Sequence, residues 1–391
     1  MTQMLTCPDP PPVTVVMDPY DDYLHTWAAL DGHRPEQGQV TVHPTPGTAS
    51  VACLAYDVLA ALGKPAPLAC YRQSDTAAPW VTAAAWTLAA GITRLTVLRA
   101  HLLSTARLQA LLALRARTGI RLVLVCHQRS VPTALERALR TLAHCRVEAA
   151  AVLPGPQEAA PEPPAVPRPL AGRWLNLPAL TTLSIVDFAD RRCRCAAPGP
   201  SERGFYPPPL TALAAAEIAH RLHTATAHPY PAAALAMACF TAASTTQLAT
   251  AHLTDLAPDA ATITLHDRDA IRQGCMTHPV PHWARPLLLA TAYLQRLTGT
   301  DLPLLAKDPL QGTGLPTLER FAETCQLRPP QPPRAHPRSA ADRRKRTPAE
   351  TVVWPRCTAH YHPRSRWTVT EEMHGCPQPP CHTRAPRSVP T

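Results

Sequence analysis

The chain has 391 residues, of which 46% are hydrophobic and 47 are proline, and its formal net charge is +10. This apolar content is enough for folded cores and excludes wholesale disorder, and no apolar run of about 18 residues predicts a membrane span. The N-terminus has no basic start followed by an apolar stretch, so no signal peptide is expected. The thirteen cysteines are therefore expected to be reduced thiols in a cytoplasmic protein.

The N-terminal half shows an alternation of strand and helix patterns. Residues 1–34 begin with a proline-rich stretch and are expected to be a flexible segment with one short helix near 20–29. Within residues 35–153, strands are expected at 39–43, 66–71, 94–98, 119–126 and 145–152, and helices at 50–62, 80–90, 104–117 and 132–142. This order predicts an α/β domain with a mostly parallel sheet.

The loop after the first of these expected strands has the sequence HPTPGTAS (43–50). It resembles the Walker A loop of AAA-type and transposition-associated P-loop ATPases, in which glycine amides and a lysine bind the phosphates. Gly47 and Thr48 match that motif, but Ser50 stands where the lysine would be. The resemblance therefore implies only a vestigial nucleotide-binding site at Gly47, Thr48 and Ser50.

The segment LTVLRAHLLS (95–104) resembles the apolar Walker B strand and the DEAH motif of the same family. Leu98 and Arg99 occupy the two acidic positions, whereas Ala100 and His101 match. Without an acidic residue nothing in this motif holds Mg²⁺ or orients water, so ATP hydrolysis is not expected. The alternative interpretation is an unrelated α/β sheet whose first loop contains Pro-Gly.

Residues 154–204 are interpreted as a linker and a basic loop, because 154–170 contains seven prolines in 17 residues. Residues 205–330 then show mainly helical periodicity. Helices are expected at 210–224, 231–242, 246–254, 283–297 and 315–325, with a strand at 261–267 and its hairpin return at 278–281. The sequence thus predicts a second, mainly helical domain with one β-hairpin.

Residues 233–267 resemble the catalytic domain of tyrosine recombinases, also called phage integrases. The match is an apolar helix, Gln247-Leu248 in place of a Glu-Leu pair, Asp255-Leu256, and the strand 262–265. Ser244 stands where the family has its first catalytic arginine, and 261–281 contains no lysine. The alternative is a plain all-α domain with one hairpin.

The resemblance to tyrosine recombinases implies three further candidate catalytic residues. His336 and Arg338 are one residue closer together than in the family's HxxR motif, and Tyr361 follows in the sequence Thr-Ala-His-Tyr. Phosphoryl transfer through a phosphotyrosine needs dispersed positive charge around the phosphate. Loss of the arginine and the lysine implies a recombinase-like fold without turnover; activity through Tyr361, His336 and Arg338 is the alternative.

The last 61 residues, 331–391, carry eleven Arg or Lys and four Asp or Glu, and so contribute +7 of the net charge of +10. They are expected to form a basic, poorly ordered tail, since prolines precede a dense cationic run. Such a run neutralises phosphates without reading base sequence, which predicts a DNA partner. The candidate DNA-binding residues are Arg334, Arg338, Arg343, Arg344, Lys345 and Arg346. A solvated tail without a specific partner is the alternative.

The same tail contains a cluster of cysteine and histidine. Cys357 and His360 are three positions apart, and Cys376 and Cys381 are five apart. This spacing predicts a tetrahedral Zn²⁺ site held by these four residues, the one cofactor that the sequence suggests. A chance pairing of the first two is the alternative.

Three hypotheses about function follow from these observations. The first is a non-catalytic, DNA-associated protein, integrase-like with a degenerate ATPase-like domain, linked to a mobile element or to DNA recombination. The second is an active tyrosine recombinase that uses Tyr361. The third is a protein-interaction scaffold that binds no nucleic acid. No membrane partner is expected under any of them.

Overall fold

The structure is a computed structural model. It describes residues 10–47, 50–65, 77–153, 173–183, 210–243, 245–248, 251–265, 276–299, 304 and 318–330. The chain divides into two compact units. Unit 1 lies within residues 1–169, 223–229 and 286–300, and unit 2 lies within residues 170–222, 230–285 and 301–391. Two short stretches of the C-terminal half therefore belong to unit 1.

Unit 1 is built on a parallel sheet of five strands. They are β1 (Val13–Met17), β2 (Gln39–Val42), β3 (Arg94–Val97), β4 (Arg121–Cys126) and β5 (His144–Glu148). The strand order across the sheet is β2-β3-β4-β1-β5, and every pairing is parallel. β4 is buried from Leu122 to Cys126, as its continuous apolar run predicts. The predicted α/β N-terminal part with a parallel sheet is confirmed.

The N-terminal segment that was expected to be flexible contributes to the centre of this sheet. β1 pairs with β4 on one side and with β5 on the other, and its residues Val13, Val15 and Val16 are fully buried. Helix α1 (Tyr23–Asp31) follows, and the side chain of its N-cap Asp22 accepts a hydrogen bond from the Leu24 amide at 2.9 Å. The branched residues of β1 favour a strand, and pairing with a strand on each side holds them in the sheet despite the preceding prolines. The prediction of a flexible segment over 1–34 is therefore wrong for its described residues.

Five further helices of unit 1 follow its strands along the chain. They are α2 (Val51–Ala61), α3 (Ala77–Ala89), α4 (Thr105–Thr118), α5 (Thr133–Leu139) and α6 (Ala149–Val152). α4 shows why the boundaries fall where they do: the Ser104 hydroxyl caps its first turn, and Gly119 ends it in a left-handed conformation with φ of 72°. The strand expected over 145–152 stops at Glu148, because the alanines that follow favour a helical turn. The strand expected at 66–71 lies outside the described residues.

Unit 2 is mainly helical. Its helices among the described residues are α7 (Ala212–Ala225), α8 (Pro229–Thr241), α9 (Thr245–Leu248) and α11 (Leu318–Thr324). The last three residues of α7 and the first residue of α8 belong to unit 1, as do all but the first residue of α10 (Arg285–Thr298). Strands β7 (Thr262–Leu265) and β8 (Met276–Pro279) form an antiparallel hairpin that pairs Ile263 with His278. The prediction of a mainly helical part with one hairpin is confirmed.

Two details of unit 2 differ from the expected elements. The helix expected at 246–254 is only the short α9 and a separate 3₁₀ turn at Leu253–Asp255. A short parallel pair, β6 (Leu175–Asn176) and β9 (Leu327–Arg328), was not predicted, because two-residue strands carry no detectable periodicity.

Unit 2 also contains a buried ion pair on α7. Arg221 Nε lies 2.6 Å from Glu217 Oε1, and both side chains are 9% exposed. Arg221 Nη1 also donates to the Gln326 carbonyl at 3.1 Å, so one guanidinium joins α7 to the chain just before β9. Buried charges require such partners, because their desolvation is otherwise unfavourable.

Among the described residues, no helix has both the length and the apolar character that crossing a bilayer requires.

Candidate functional site

The strand order of unit 1 defines one preferred place for a ligand. From β1 the chain runs to β2 at one side of the sheet, whereas from β4 it runs past β1 to β5 at the other side. The neighbouring strands β1 and β4 thus lead in opposite directions. In open parallel sheets, ligands bind at such a switch point, outside the carboxyl ends of the strands.

Charged and aromatic side chains meet at this switch point. Asp18 directly follows β1 and His127 directly follows β4, and their side chains are 1% and 0% exposed. His127 Nδ1 lies 2.8 Å from Asp18 Oδ2 and 3.1 Å from Asp21 Oδ1. Asp21 sits in the left-handed region with φ of 53°, and its amide donates to the Asp18 carbonyl at 3.2 Å in a turn after β1. We call Asp18, Asp21 and His127 the switch-point cluster.

Asp18 is the central acceptor of the cluster. Its second oxygen, Oδ1, lies 3.0 Å from His25 Nδ1 on α1, and the Asp22 amide donates to the same oxygen at 3.3 Å. Burial raises the pKa of the Asp18 carboxyl, but the hydrogen bonds from His25 and His127 lower it further than burial raises it. The net pKa therefore lies below its ordinary value, and Asp18 is a carboxylate at neutral pH.

Arg99 and His101, which follow β3, complete the surroundings of the switch-point cluster. Arg99, also left-handed with φ of 54°, donates from Nη1 to Asp21 Oδ2 at 2.8 Å. His101 Nδ1 accepts from the His127 amide at 3.3 Å, and the two imidazole rings meet edge to face at 6.1 Å. Burial, His127 and Arg99 lower the pKa of His101, whereas Asp21 raises it, and the net direction is downward. His101 is thus held as a neutral hydrogen-bond acceptor.

The switch-point cluster offers one ligand atom from each of three residues. The carboxylate oxygens of Asp18 and Asp21 and a ring nitrogen of His127 all lie within 4.8 Å of one another. Such a set of oxygen and nitrogen donors can hold a metal ion. Among the described residues, His127 Nε2 is buried without a hydrogen-bond partner, so the ring is fixed from its Nδ1 side alone.

The loop that resembles a Walker A motif lies elsewhere. It follows β2, which is an edge strand and the second strand of the chain, not the first. The Thr45 amide donates to Asp57 Oδ2 at 2.9 Å and the Thr45 hydroxyl to Asp57 Oδ1 at 2.6 Å. Asp57 is on α2, so a carboxylate already occupies donors in this loop. Gly47 has φ of 76°, and Ser50 precedes α2 without a side-chain capping bond.

Most of the site residues that the sequence predicts lie outside the part of the chain that the structure describes. Thr48 and Ser244 lie outside the described residues. So do all the catalytic, DNA-binding and zinc candidates of the tail: Arg334, His336, Arg338, Arg343, Arg344, Lys345, Arg346, Cys357, His360, Tyr361, Cys376 and Cys381. Leu98 is fully buried and packs in a core cluster with Val16. The position where a Walker B strand has its acids therefore carries a core leucine and the paired Arg99.

Sequence patterns alone missed the switch-point cluster. Asp18 lies in the segment expected to be flexible, and His127 lies one residue beyond the strand expected at 119–126. One signal was present: each residue directly follows a short branched apolar run, VTVVM or RLVLVC. As neighbouring parallel strands, these two runs place their carboxyl ends at one edge of the sheet, but only the second was predicted as a strand.

Comparison with models of known protein families and with curated proteins finds no match to this chain.

Proposed function

We propose that the protein is a non-catalytic, DNA-associated protein, integrase-like in its C-terminal half, whose N-terminal unit does not hydrolyse ATP. The observation that carries this proposal is the charge distribution: residues 331–391 contribute +7 of the net +10. A dense cationic segment on a protein binds polyanions through phosphate contacts and counterion release. DNA is the partner that the resemblance to tyrosine recombinases indicates.

The contacts of the Walker-like loop support the absence of ATP hydrolysis. A phosphate-binding loop needs backbone amides that point at the ligand, but the Thr45 amide donates to Asp57. A phosphate near this loop would also meet the negative charge of that carboxylate. At the two positions where a Walker B motif has its acids, Leu98 lies in the core and Arg99 pairs with Asp21, so the motif itself supplies no carboxylate for Mg²⁺.

The order of elements along the C-terminal half of the chain supports the integrase-like part of the proposal. The buried helix α8 precedes an antiparallel hairpin, and α10 follows it, in the order that the resemblance implies. The sequence departs from the family at the groups that stabilise the transition state, since Ser244 replaces an arginine. Removal of one such donor typically costs about 10²–10³ in rate, and the hairpin lysine is missing as well.

Binding to duplex DNA measured over a range of salt concentrations tests the proposal. We expect binding that weakens steeply as salt rises, with little dependence on sequence. Absence of binding at low salt would favour the scaffold hypothesis instead. A covalent protein–DNA adduct that disappears in Tyr361→Phe would show an active recombinase and contradict the non-catalytic proposal.

A further inference from the structure

We propose that the switch-point cluster, Asp18, Asp21 and His127, binds one divalent cation of the octahedral class to which Mn²⁺ belongs. The proposal is independent of DNA binding and of the zinc candidates in the tail. It rests on three features of unit 1: the donor set, the distances within it and its position in the sheet.

The donor set selects the class of ion. Two carboxylates and one imidazole provide hard oxygen and borderline nitrogen ligands without a thiolate. Carboxylates suit Mg²⁺, Ca²⁺ and Mn²⁺, whereas imidazole suits Zn²⁺ and its transition-metal neighbours. Mn²⁺ belongs to the first group by geometry and is a transition metal, so a mixed set of this kind fits it better than it fits Mg²⁺ or Ca²⁺.

The distances agree with octahedral coordination. The His127 nitrogen lies 2.8 Å from one carboxylate oxygen and 3.1 Å from the other. Adjacent ligands of an octahedral ion with bonds of about 2.1 Å are about 3.0 Å apart. A tetrahedral Zn²⁺ with bonds of about 2.0 Å would require about 3.3 Å between them. Small side-chain shifts therefore suffice for an octahedral ion, which replaces the Nδ1 proton that His127 shares with the carboxylates and leaves the ring proton on Nε2.

The surroundings hold the ligands in place. Two of the three residues are buried at the ends of neighbouring strands, so their positions are fixed by the sheet. His25 holds the far oxygen of Asp18, as outer-sphere partners of metal-binding carboxylates commonly do. Arg99 holds the far oxygen of Asp21, which leaves Oδ1 directed at His127. The cluster also lies at the switch point, where parallel sheets bind their ligands.

A variant of Arg99 distinguishes metal binding by the cluster from a purely structural role. Its guanidinium is the one cation that the structure places on a cluster carboxylate within the described chain. Replacing it with glutamine leaves the three ligands intact and keeps a side-chain N–H donor for Asp21 Oδ2, but it removes a positive charge near the ion. Arg99→Gln is therefore expected to strengthen Mn²⁺ binding, whereas loss of a ligand weakens it.

Titration of the chelator-treated full-length protein with MnCl₂, followed by calorimetry and by the electron paramagnetic resonance of free Mn²⁺, tests the proposal. We expect one ion per chain. Asp21→Asn, at an exposed position, and His127→Gln are each expected to weaken binding at least about tenfold, the loss seen even for outer-sphere partners. Asp31→Asn on α1 removes a similarly exposed carboxylate outside the cluster and is expected to have no effect.

Three results would overturn the proposal. They are no binding at millimolar Mn²⁺, affinity unchanged in Asp21→Asn, and binding that is lost in Cys376→Ser but retained in the cluster variants. If His127→Gln fails to fold, as judged by circular dichroism, Asp21→Asn and Arg99→Gln still decide the outcome, because both positions are partly exposed.

Discussion

Lys64 is a buried lysine without a carboxylate partner among the described residues, and replacing it with methionine should stabilise the protein at neutral pH. The side chain is 2% exposed. Its Nζ lies 2.8 Å from His223 Nδ1, 2.9 Å from the His223 carbonyl and 3.3 Å from the centroid of the Trp86 ring. His223 Nε2 lies 2.8 Å from the Leu62 carbonyl, so Nε2 carries the proton and Nδ1 accepts from Lys64.

The size of the stabilisation expected for Lys64→Met follows from the pKa of Lys64. Burial lowers the pKa of Lys64 from 10.5 to about 6. Between these two values the unfolded chain binds a proton that the folded chain does not, so stability rises with pH across this window. At neutral pH the unfavourable contribution is on the order of 5 kcal/mol, at about 1.4 kcal/mol per pH unit. Methionine removes it but loses the hydrogen bonds to His223, which costs about 1–3 kcal/mol.

We therefore expect Lys64→Met to be more stable than the native chain by about 2 kcal/mol at pH near 7. Near pH 10 the proton contribution has fallen below about 1 kcal/mol, so the variant should be less stable there. Urea unfolding followed by tryptophan fluorescence at both pH values measures this reversal. Arg34→Met, which removes a cation from an exposed pair with Asp31, is the control and should change little.

A pH-independent destabilisation by Lys64→Met would refute this reasoning. It would mean that Lys64 stays charged, and that the Trp86 face and the two acceptors of His223 compensate for its burial.

Three further predictions concern the two units and the tail. The purified protein should not hydrolyse ATP; Mg²⁺-dependent turnover that vanishes when Gly47 is changed would contradict this. Arg221→Met should destabilise unit 2 by about 3–5 kcal/mol in an unfolding assay, because it leaves Glu217 buried and unpaired. Arg146→Met is the control: it removes one partner of an exposed surface pair and should cost less than about 1 kcal/mol in the same assay. If Zn²⁺ is bound in the tail, elemental analysis should find about one equivalent, and Cys376→Ser should reduce it; unchanged zinc content in that variant would rule out the four predicted ligands.

The elements that sequence patterns located correctly are those with strong local signals. β4 is a continuous branched apolar run, and α4 is bounded by Ser104 and Gly119, which mark a helix start and stop. β1 has only five residues after a proline-rich stretch, and its central place depends on pairing with β4 and β5, which no local pattern reports. β1 was therefore missed because its formation depends on non-local strand pairing.

The candidate site depended even more on non-local pairing. Asp18 and His127 are 109 positions apart, and they meet because β1 and β4 are adjacent in the sheet. The local resemblance to a Walker A loop indicates 43–50 instead, which lies at the end of an edge strand. Short motifs identify residue types, but the strand order determines which strand ends lie side by side.

The most direct test of the proposed function is the salt dependence of DNA binding by a variant of the basic tail. In this variant Arg343, Arg344, Lys345 and Arg346 are all replaced with alanine. Each phosphate neutralised contributes about −0.9 to the slope of log K against log salt concentration, so the proposal predicts a slope flattened by up to about 3–4. Binding should weaken alike for all sequences. An unchanged slope, with native affinity, would contradict a role of this segment in DNA binding.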